Sequence, residues 1–289
     1  MIGPKIYETV ADMRQAVDAA RAKGKRVALV PTMGALHEGH LSLVRAAREH
    51  AGHIIVSIFV NPTQFAPTED FDAYPRDSDA DLKLLAGLGV EGVFMPPAKE
   101  VYPQGFATAV SVGGPAEGLE STTRPHFFGG VATVVTKLLL AALPDVAIFG
   151  EKDYQQLCVI RRFVRDLHIP VTILGGPTVR EEDGLAMSSR NRYLGADDRR
   201  TASLIPQVLG EAVERITAGE EAATVLAQGM ARLTQGGFTV DYLELRDAET
   251  LAPVDPKGTN AARLLVAAKL GQTRLIDNMS VARPTTGWR

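Results

Sequence analysis

Pro31-Thr32-Met33-Gly34-Ala35-Leu36-His37-Glu38-Gly39-His40 stands between a short apolar run, Arg26 to Pro31, and a stretch with helical spacing, Gly39 to Ala51. The apolar run, closed by proline, reads as a strand and the stretch after it as an amphipathic helix. In parallel α/β sheets such strand–loop–helix junctions are where ligands bind. The helix start offers free backbone N–H groups and a positive dipole end to an anion. Gly34 and Gly39 let a nucleotide approach the backbone with no Cβ in the way. His37 and His40 share one face of the helix start and can donate hydrogen bonds to phosphate. Either histidine alone reads as a surface residue of a loop, whereas the pair inside this decapeptide reads as a phosphate site. The helical zinc motif His-Glu-x-x-His does not fit, because the segment is one residue too short.

The same alternation continues outward. Thr9 to Ala22 has helical spacing, Ile54 to Val60 is a β-branched strand, and Ser78 to Leu88 is a helix with Ser78 as its N-cap. Gly92 to Met95 is a short strand stopped by Pro96 and Pro97. A helix over Gly130 to Ala142 leads into strand Val146 to Phe149, and a helix over Asp153 to Leu167 into strand Val171 to Leu174. This βαβα succession predicts an α/β fold, a Rossmann-like parallel sheet with helices on both faces. Near Gly175 the character changes. The polar segment Thr178 to Arg192 is followed by a long helical region from Asp197 to about Leu233, then by strands Thr239 to Arg246, Leu264 to Lys269 and Thr273 to Asn278. Helices followed by consecutive strands predict a smaller C-terminal α+β domain, dividing the chain into residues 1–178 and 179–289.

Composition narrows the class. At 289 residues the chain has room for about two domains. With 31 basic and 34 acidic residues its net charge is −3, which argues against a nucleic-acid partner. Met1 to Met13 has no apolar h-region, so no signal peptide is expected. Val131 to Phe149 is the most apolar stretch, but Lys137, Pro144 and Asp145 break it too often for a bilayer span. The single cysteine, Cys158, can form neither an internal disulfide nor, alone, a zinc site. These features predict a cytoplasmic protein with no membrane partner.

Three further clusters fall at strand ends or at the domain junction. Phe149 to Gln156 opens a helix; Lys152 is a compact cation suited to triphosphate, and Asp153 could cap the helix or help hold a metal. Taken alone it reads equally well as a solvated charged turn. Met187-Ser188-Ser189-Arg190-Asn191-Arg192 sets two hydroxyls beside a guanidinium, a phosphate-gripping surface or else a polar linker. Asn61-Pro62-Thr63-Gln64-Phe65 presents two amides, suited to a small ligand with hydroxyls and a carboxylate; the alternative is an Asx turn and an exposed Gln64. Together the clusters describe a nucleotide-dependent enzyme acting on a small polar molecule.

With PTMGALHEGH, FVNPTQF, DAYPRD, FGEKDYQQL, TVREEDGLAMSSRNRYL, DYLELRD and TRLIDN, the chain resembles the pantoate–β-alanine ligase (pantothenate synthetase) family from about Arg26 to Asn278. The His-x-Gly-His element alone points only to the wider nucleotidylyltransferase and class I aminoacyl-tRNA synthetase superfamily; GEKDYQQ and MSSRN make the match specific. The resemblance implies a ligase that forms a C–N bond in two steps. ATP and pantoate give pantoyl adenylate and pyrophosphate with magnesium, and β-alanine then gives pantothenate and AMP. It also implies an ATP site made of Met33, Gly34, Ala35, Leu36, His37, Glu38, Gly39 and His40, together with Gly150, Glu151, Lys152, Asp153, Val179, Met187, Ser188, Ser189 and Arg190. His40 would be the proton donor, and His37, Lys152 and Arg190 would serve catalysis with it, the last two on phosphates. Gln64 and Gln156 would hold pantoate with Asn61 as a further candidate, Gln64 would also lie near β-alanine, and Asp81 would stand on the magnesium side. A homodimer is implied as well.

One position departs from the family pattern. Arg-Pro-x-His-Phe is here Arg124-Pro125-His126-Phe127-Phe128, so no role is carried over to the displaced histidine. Three rival readings make different products or contacts. A nucleotidylyltransferase would leave AMP on its product. A tRNA-binding fragment would need a basic helical region that the chain lacks. A nucleotide-binding module would release no pyrophosphate.

Overall fold

Six strands form one parallel sheet in the order β1-β4-β3-β2-β5-β6. They are β1 (Lys5–Tyr7), β2 (Val27–Thr32), β3 (His53–Ile58), β4 (Gly92–Phe94), β5 (Val146–Gly150) and β6 (Thr172–Gly176). This computed structural model describes residues 3–66, 71–255, 258, 260–285 and 287–288. From β2 the chain works outward to β3 and β4 on one side, and later to β5 and β6 on the other. The β2/β5 boundary is therefore the topological switch point, where a crevice opens above the strand ends.

Burial follows the two-residue period of the central strand. Val27 and Leu29 of β2 join one apolar cluster and Ala28 and Val30 join another, so both faces of the sheet are covered. The helices are α1 (Val10–Arg21), α2 (Glu38–His50), α3 (Ser78–Gly87), α4 (Ala98–Val101), α5 (Glu120–Thr123), α6 (Phe127–Ala142) and α7 (Tyr154–Asp166). Leu43, Val44 and Ala47 of α2 and Leu85 of α3 fill one side; α1, α6 and α7 fill the other. Helix α6 is apolar nearly all round because it is buried nearly all round, packed on both α1 and α7. That explains the long apolar stretch noted above. No helix among the described residues is long and apolar enough to cross a membrane.

The C-terminal lobe holds α8 (Ala196–Ala202), α9 (Leu204–Thr217) and α10 (Ala222–Gln235), then an antiparallel sheet of β7 (Thr239–Asp247), β8 (Ala262–Leu270) and β9 (Thr273–Val281). Alternate residues of β8 (Ala262, Leu264, Val266, Ala268) pack with α9 and α10. Leu265 and Ala267 point the other way, into a cluster with Cys158 of α7. The antiparallel sheet is thus covered on both faces.

Some details differ from the sequence expectations. The long helical region is three helices, broken at Ser203 and again between Ala218 and Glu221. Pro206, which has no N–H to donate, sits in the first turn of α9, where none is needed. Asp77, not Ser78, caps α3, its carboxylate accepting the N–H of Ala80 at 3.1 Å. Strand β1 was not foreseen; it is three residues long, leaves Ile6 45% exposed, and carries too little pattern to read.

Helix α6 crosses the short 3₁₀ turn Pro62–Gln64 at Gly130. A Cβ there would lie 2.4 Å from the Thr63 carbonyl oxygen and 2.9 Å from Gln64 Cα, both backbone atoms that cannot swing away. Helix propensity alone would favour alanine by about 1 kcal/mol, whereas forcing atoms into a packed site costs about 1–3 kcal/mol. Because the obstructing atoms are backbone, Gly130→Ala should be net destabilising in urea unfolding. A Gly130→Ala protein more stable than the parent would contradict this close approach.

Candidate active site

A cavity of about 760 Å³ lies over the C-terminal ends of β2 and β5 and reaches the β7–β9 sheet. It is within the size range of small-molecule sites. The four clusters singled out in the sequence all reach it. Met33, His37, Gly39 and His40 come from the β2–α2 junction, and Asn61 and Gln64 follow β3. Gly150, Lys152, Asp153 and Gln156 follow β5; Val179, Met187, Ser188, Ser189 and Arg190 follow β6. Gly34, Ala35, Leu36, Glu38, Glu151 and Asp81 are absent from its wall.

The reason lies in how the β2–α2 loop is held. Gly34 and Ala35 both adopt left-handed backbone, with φ of 81° and 51°. The turn directs the N–H groups of Ala35 and Leu36 away from the cavity, onto Asp81 Oδ2 and Oδ1 at 3.0 and 2.7 Å. A Cβ on Gly34 would lie 3.0 Å from the same carboxylate. Gly34, Ala35 and Leu36, expected in the ATP site, are buried, and the N–H groups of Ala35 and Leu36 are engaged by this carboxylate. Asp81, expected on the magnesium side, stands behind this loop. It is 3% exposed, and both its oxygens hold the loop. Burial raises its pKa, against the opposing pull of those two N–H groups. Glu38 points to solvent, where its carboxylate takes Arg45 at 2.6 and 3.0 Å.

The two histidines cap their own helix. His37 Nδ1 accepts the N–H of Gly39 at 3.2 Å, and His40 Nδ1 accepts the N–H of His37 at 3.4 Å. An Nδ1 that accepts places the ring proton on Nε2. The helix start therefore offers an anion imidazole N–H groups in place of these backbone N–H groups. The rings stack with centroids 4.1 Å apart. Burial lowers the pKa of His37 to about 4, helped by the charges of Lys152 and Arg192. Burial likewise lowers that of His40 to about 3, with His37 and Lys152 adding to it. Both are neutral hydrogen-bond donors near pH 7.

Lys152 sits in the 3₁₀ turn Glu151–Asp153, its Nζ 3.8 Å from Asp153 Oδ2. Asp153 makes no side-chain cap to α7. Ser188 Oγ accepts the N–H of Arg190 at 3.3 Å, and Ser189 Oγ lies 3.4 Å from the Tyr74 hydroxyl. Gln64 donates through Nε2 to the thioether of Met33 at 3.0 Å. Sulfur is a weak acceptor, so a ligand oxygen can displace it readily. Asn61, proposed from sequence as a ligand contact, has both amide groups occupied. Nδ2 donates to Gly130 O and Gln64 Oε1, each at 3.2 Å, and Oδ1 accepts the Tyr102 hydroxyl at 2.7 Å. It shapes the turn that carries Gln64. Gln156 lines the cavity, while the neighbouring Gln155 is committed to Glu120 N, Pro115 O and Gly118 O.

Several wall residues were not singled out from sequence. The Thr178 hydroxyl is buried on the cavity wall with no partner among the described residues. Glu120, 5% exposed, accepts from Arg274 at 2.8 Å and from the Tyr242 hydroxyl at 2.8 Å, joining the two lobes. Burial opposes its ionisation, but the bonds from Arg274 and Tyr242 and the charges of Arg274 and Arg124 together hold its carboxyl below the ordinary value. Neither Thr178 nor Glu120 carries a sequence signal of its own; behind the wall, Arg263 of β8 does, as a charged group inside an apolar strand. Phe127, at the departed family position, carries the Arg124 guanidinium 3.8 Å from its ring centre.

Known proteins share this sequence pattern and this fold. The chain matches the family described as pantoate-beta-alanine ligase over residues 5–280. Pantothenate synthetases from a Bradyrhizobium strain and from Caulobacter vibrioides are 54% and 55% identical to it, covering 96% and 97% of this chain and 99% and 100% of their own. The crystal structure of the Thermus thermophilus pantothenate synthetase superposes with a TM-score of 0.90 at 46% identity, over 96% of this chain and 99% of that one. That of a Francisella tularensis pantoate-beta-alanine ligase, complexed with beta-gamma ATP and beta-alanine, gives 0.81 at 33% identity, over 96% and 97%. Matched in sequence and in fold across nearly its whole length, the chain belongs to the pantoate-beta-alanine ligase family.

Proposed function

We propose that this chain condenses pantoate with β-alanine to pantothenate through an enzyme-bound pantoyl adenylate, consuming ATP and releasing pyrophosphate and AMP. The observation that carries this reading is convergence. Lys152, the two neutral imidazoles and the Ser188–Arg190 segment approach one cavity at the switch point from separate strand ends. ATP and β-alanine as substrates are further supported by the complex of the Francisella relative.

The chemistry needs placement more than a protein nucleophile. In the first step a carboxylate oxygen of pantoate bonds to the α-phosphorus as the bond to pyrophosphate breaks. Charge gathers on the phosphate oxygens, where Lys152 and Arg190 supply fixed positive charge and His37 and His40 supply Nε2–H donors. Gln64 and Gln156 orient pantoate through its hydroxyls and carboxylate. In the second step the amine of β-alanine attacks the acyl carbon, AMP leaves with the bonding pair, and the nitrogen loses a proton. Holding the two reactants together supplies most of the advantage. Cys158 takes no part: burial raises its thiol to about 11, and it lies off the cavity wall.

Magnesium fits this site as a companion of the triphosphate. Such ions take one or two carboxylates plus phosphate oxygens, and no group of three or more His, Cys, Asp or Glu side chains able to hold a metal occurs among the described residues. Asp153, half exposed on the cavity wall beside Lys152, is the carboxylate placed to hold it. Bound there, the ion would neutralise phosphate charge. Residues 1–178 are read as the nucleotide- and pantoate-binding domain and 179–289 as a lid. Assembly as a homodimer and residence in the cytoplasm follow from the family resemblance.

ATP, magnesium and pantoate without β-alanine should release about one pyrophosphate per site and then stall, with free AMP appearing on addition of β-alanine. A nucleotide retained on the product would contradict a ligase. Lys152→Ala should slow the pyrophosphate burst by about 10²–10³ while leaving the fold intact; a near-normal burst removes Lys152 from the step. The pH profile provides a separate check. Both histidine values are depressed to about 4 and about 3, so the neutral donors persist as pH falls until those values are reached. The profile of kcat/KM for ATP, which reports the free enzyme, should show no histidine step around the ordinary 6.5. An acid limb centred there would contradict the assignment.

A further inference from the structure

Two consecutive residues of β9 tie together the two segments that carry the phosphate-facing groups. Asn278 Nδ2 donates to the carbonyl oxygens of Glu151 and Lys152 at 2.9 and 2.8 Å. Its Oδ1 accepts from Arg263 Nε at 2.6 Å. The same guanidinium reaches Glu151 Oε2 at 3.2 Å and lies 4.1 Å from the centre of the Tyr154 ring. Turned over, the amide would face two carbonyls with an oxygen and a guanidinium with its N–H groups, so only this orientation satisfies every partner. Neither an acid nor an aliphatic residue could donate twice and accept once in this place.

Asp277, 3% exposed, grips the other segment. Its carboxylate takes Arg180 through two bonds of 2.7 and 3.0 Å. Arg180 donates to Gly184 O at 2.9 Å and bridges to Ala186, and Met187 N donates to Val179 O at 3.0 Å. This small hairpin runs directly into Ser188, Ser189 and Arg190. Meanwhile the turn bearing Lys152 has no side-chain cap of its own, and Asp153 leaves the start of α7 uncapped as well. The carbonyls of that turn are fixed from the opposite lobe.

We propose that Asp277 and Asn278 are positioning residues for adenylation. From the C-terminal sheet they set where Lys152 stands relative to the Ser188–Arg190 segment, so that both meet one triphosphate. The inference rests on the ATP reading of the cavity. Its physical basis is the steep dependence of rate on placement, where a shift of about 1 Å costs about 10² in rate.

The test is a comparison of burst rates for pyrophosphate release with ATP, magnesium and pantoate, using Asn278→Ala in the parent and in Lys152→Ala enzyme. Asn278→Ala should slow the parent burst about tenfold or more and leave half-saturation by pantoate within about twofold. It should slow the Lys152→Ala enzyme far less, because the group it positions is already gone. Equal slowing in both backgrounds overturns the proposal, as does an unchanged burst at saturation accompanied only by lower stability. If Asn278→Ala does not fold, the isosteric Asn278→Asp, or Arg263→Met with its stem still against Tyr154, carries the same comparison. A parent enzyme with no burst would overturn the ATP reading and this inference with it. A normal parent burst with indifferent variants would overturn this inference alone.

Discussion

The Nδ1 atoms of His37 and His40 are both committed to backbone N–H groups, and the rest of the site depends on that commitment. It fixes the tautomer, leaves Nε2–H for a ligand, and caps α2 without a serine or aspartate. Burial does the remaining work by keeping both rings uncharged. The arrangement needs the preceding loop in one conformation, and Asp81 supplies the restraint. A buried carboxylate is costly unless it is hydrogen-bonded; here its bonds to Ala35 and Leu36 satisfy it and define a turn with two left-handed residues. An acid at the start of α3 thus decides where two rings at the start of α2 stand.

The second constraint acts between lobes. Strand β8 is buried against its own helices on one face and against α7 on the other, so its buried charged residue, Arg263, has to find partners inside the protein. It finds Glu151 and Asn278, next to Lys152. On another wall Glu120 gathers Arg274, Arg124 and Tyr242, linking α5 to β7 and β9. Removing one partner from such a cluster leaves a buried charge unpaired, and that penalty exceeds the net value of the pair. The cavity therefore has its shape only when both lobes are present, which suits a reaction whose adenylate must be kept from water.

The sequence made the sheet legible because β2, β3 and β5 are apolar runs separated by helical spacing, and the site legible because its polar clusters fall at their ends. What could not be read were the pairings across distance. Asp81 lies far along the chain from Ala35 and Leu36, and its position at a helix start looks like an ordinary first-turn acid. Glu38 sits in the decapeptide yet faces Arg45 and solvent, because residues at a helix start diverge around the axis. Asn61 reads from sequence as a ligand contact or an Asx turn, and the partners of its amide, Gly130, Gln64 and Tyr102, come from distant segments as well as from the turn. Asn278 reads from sequence as the polar end of a strand; it lies inside β9, and two of its partners are main-chain carbonyls that leave no mark in the sequence.

The central claim is that two neutral imidazoles, with Nδ1 accepting and Nε2 carrying the proton, face the nucleotide. Nitrogen NMR of isotope-labelled histidines in the ligand-free protein tests it directly. His37 and His40 should each show one pyridine-type nitrogen, Nδ1, and one pyrrole-type nitrogen, Nε2, unchanged from neutral pH down to about 5, as their values of about 4 and about 3 require. A proton on Nδ1, or imidazolium signals already present near the ordinary histidine value of about 6.5, would contradict the account.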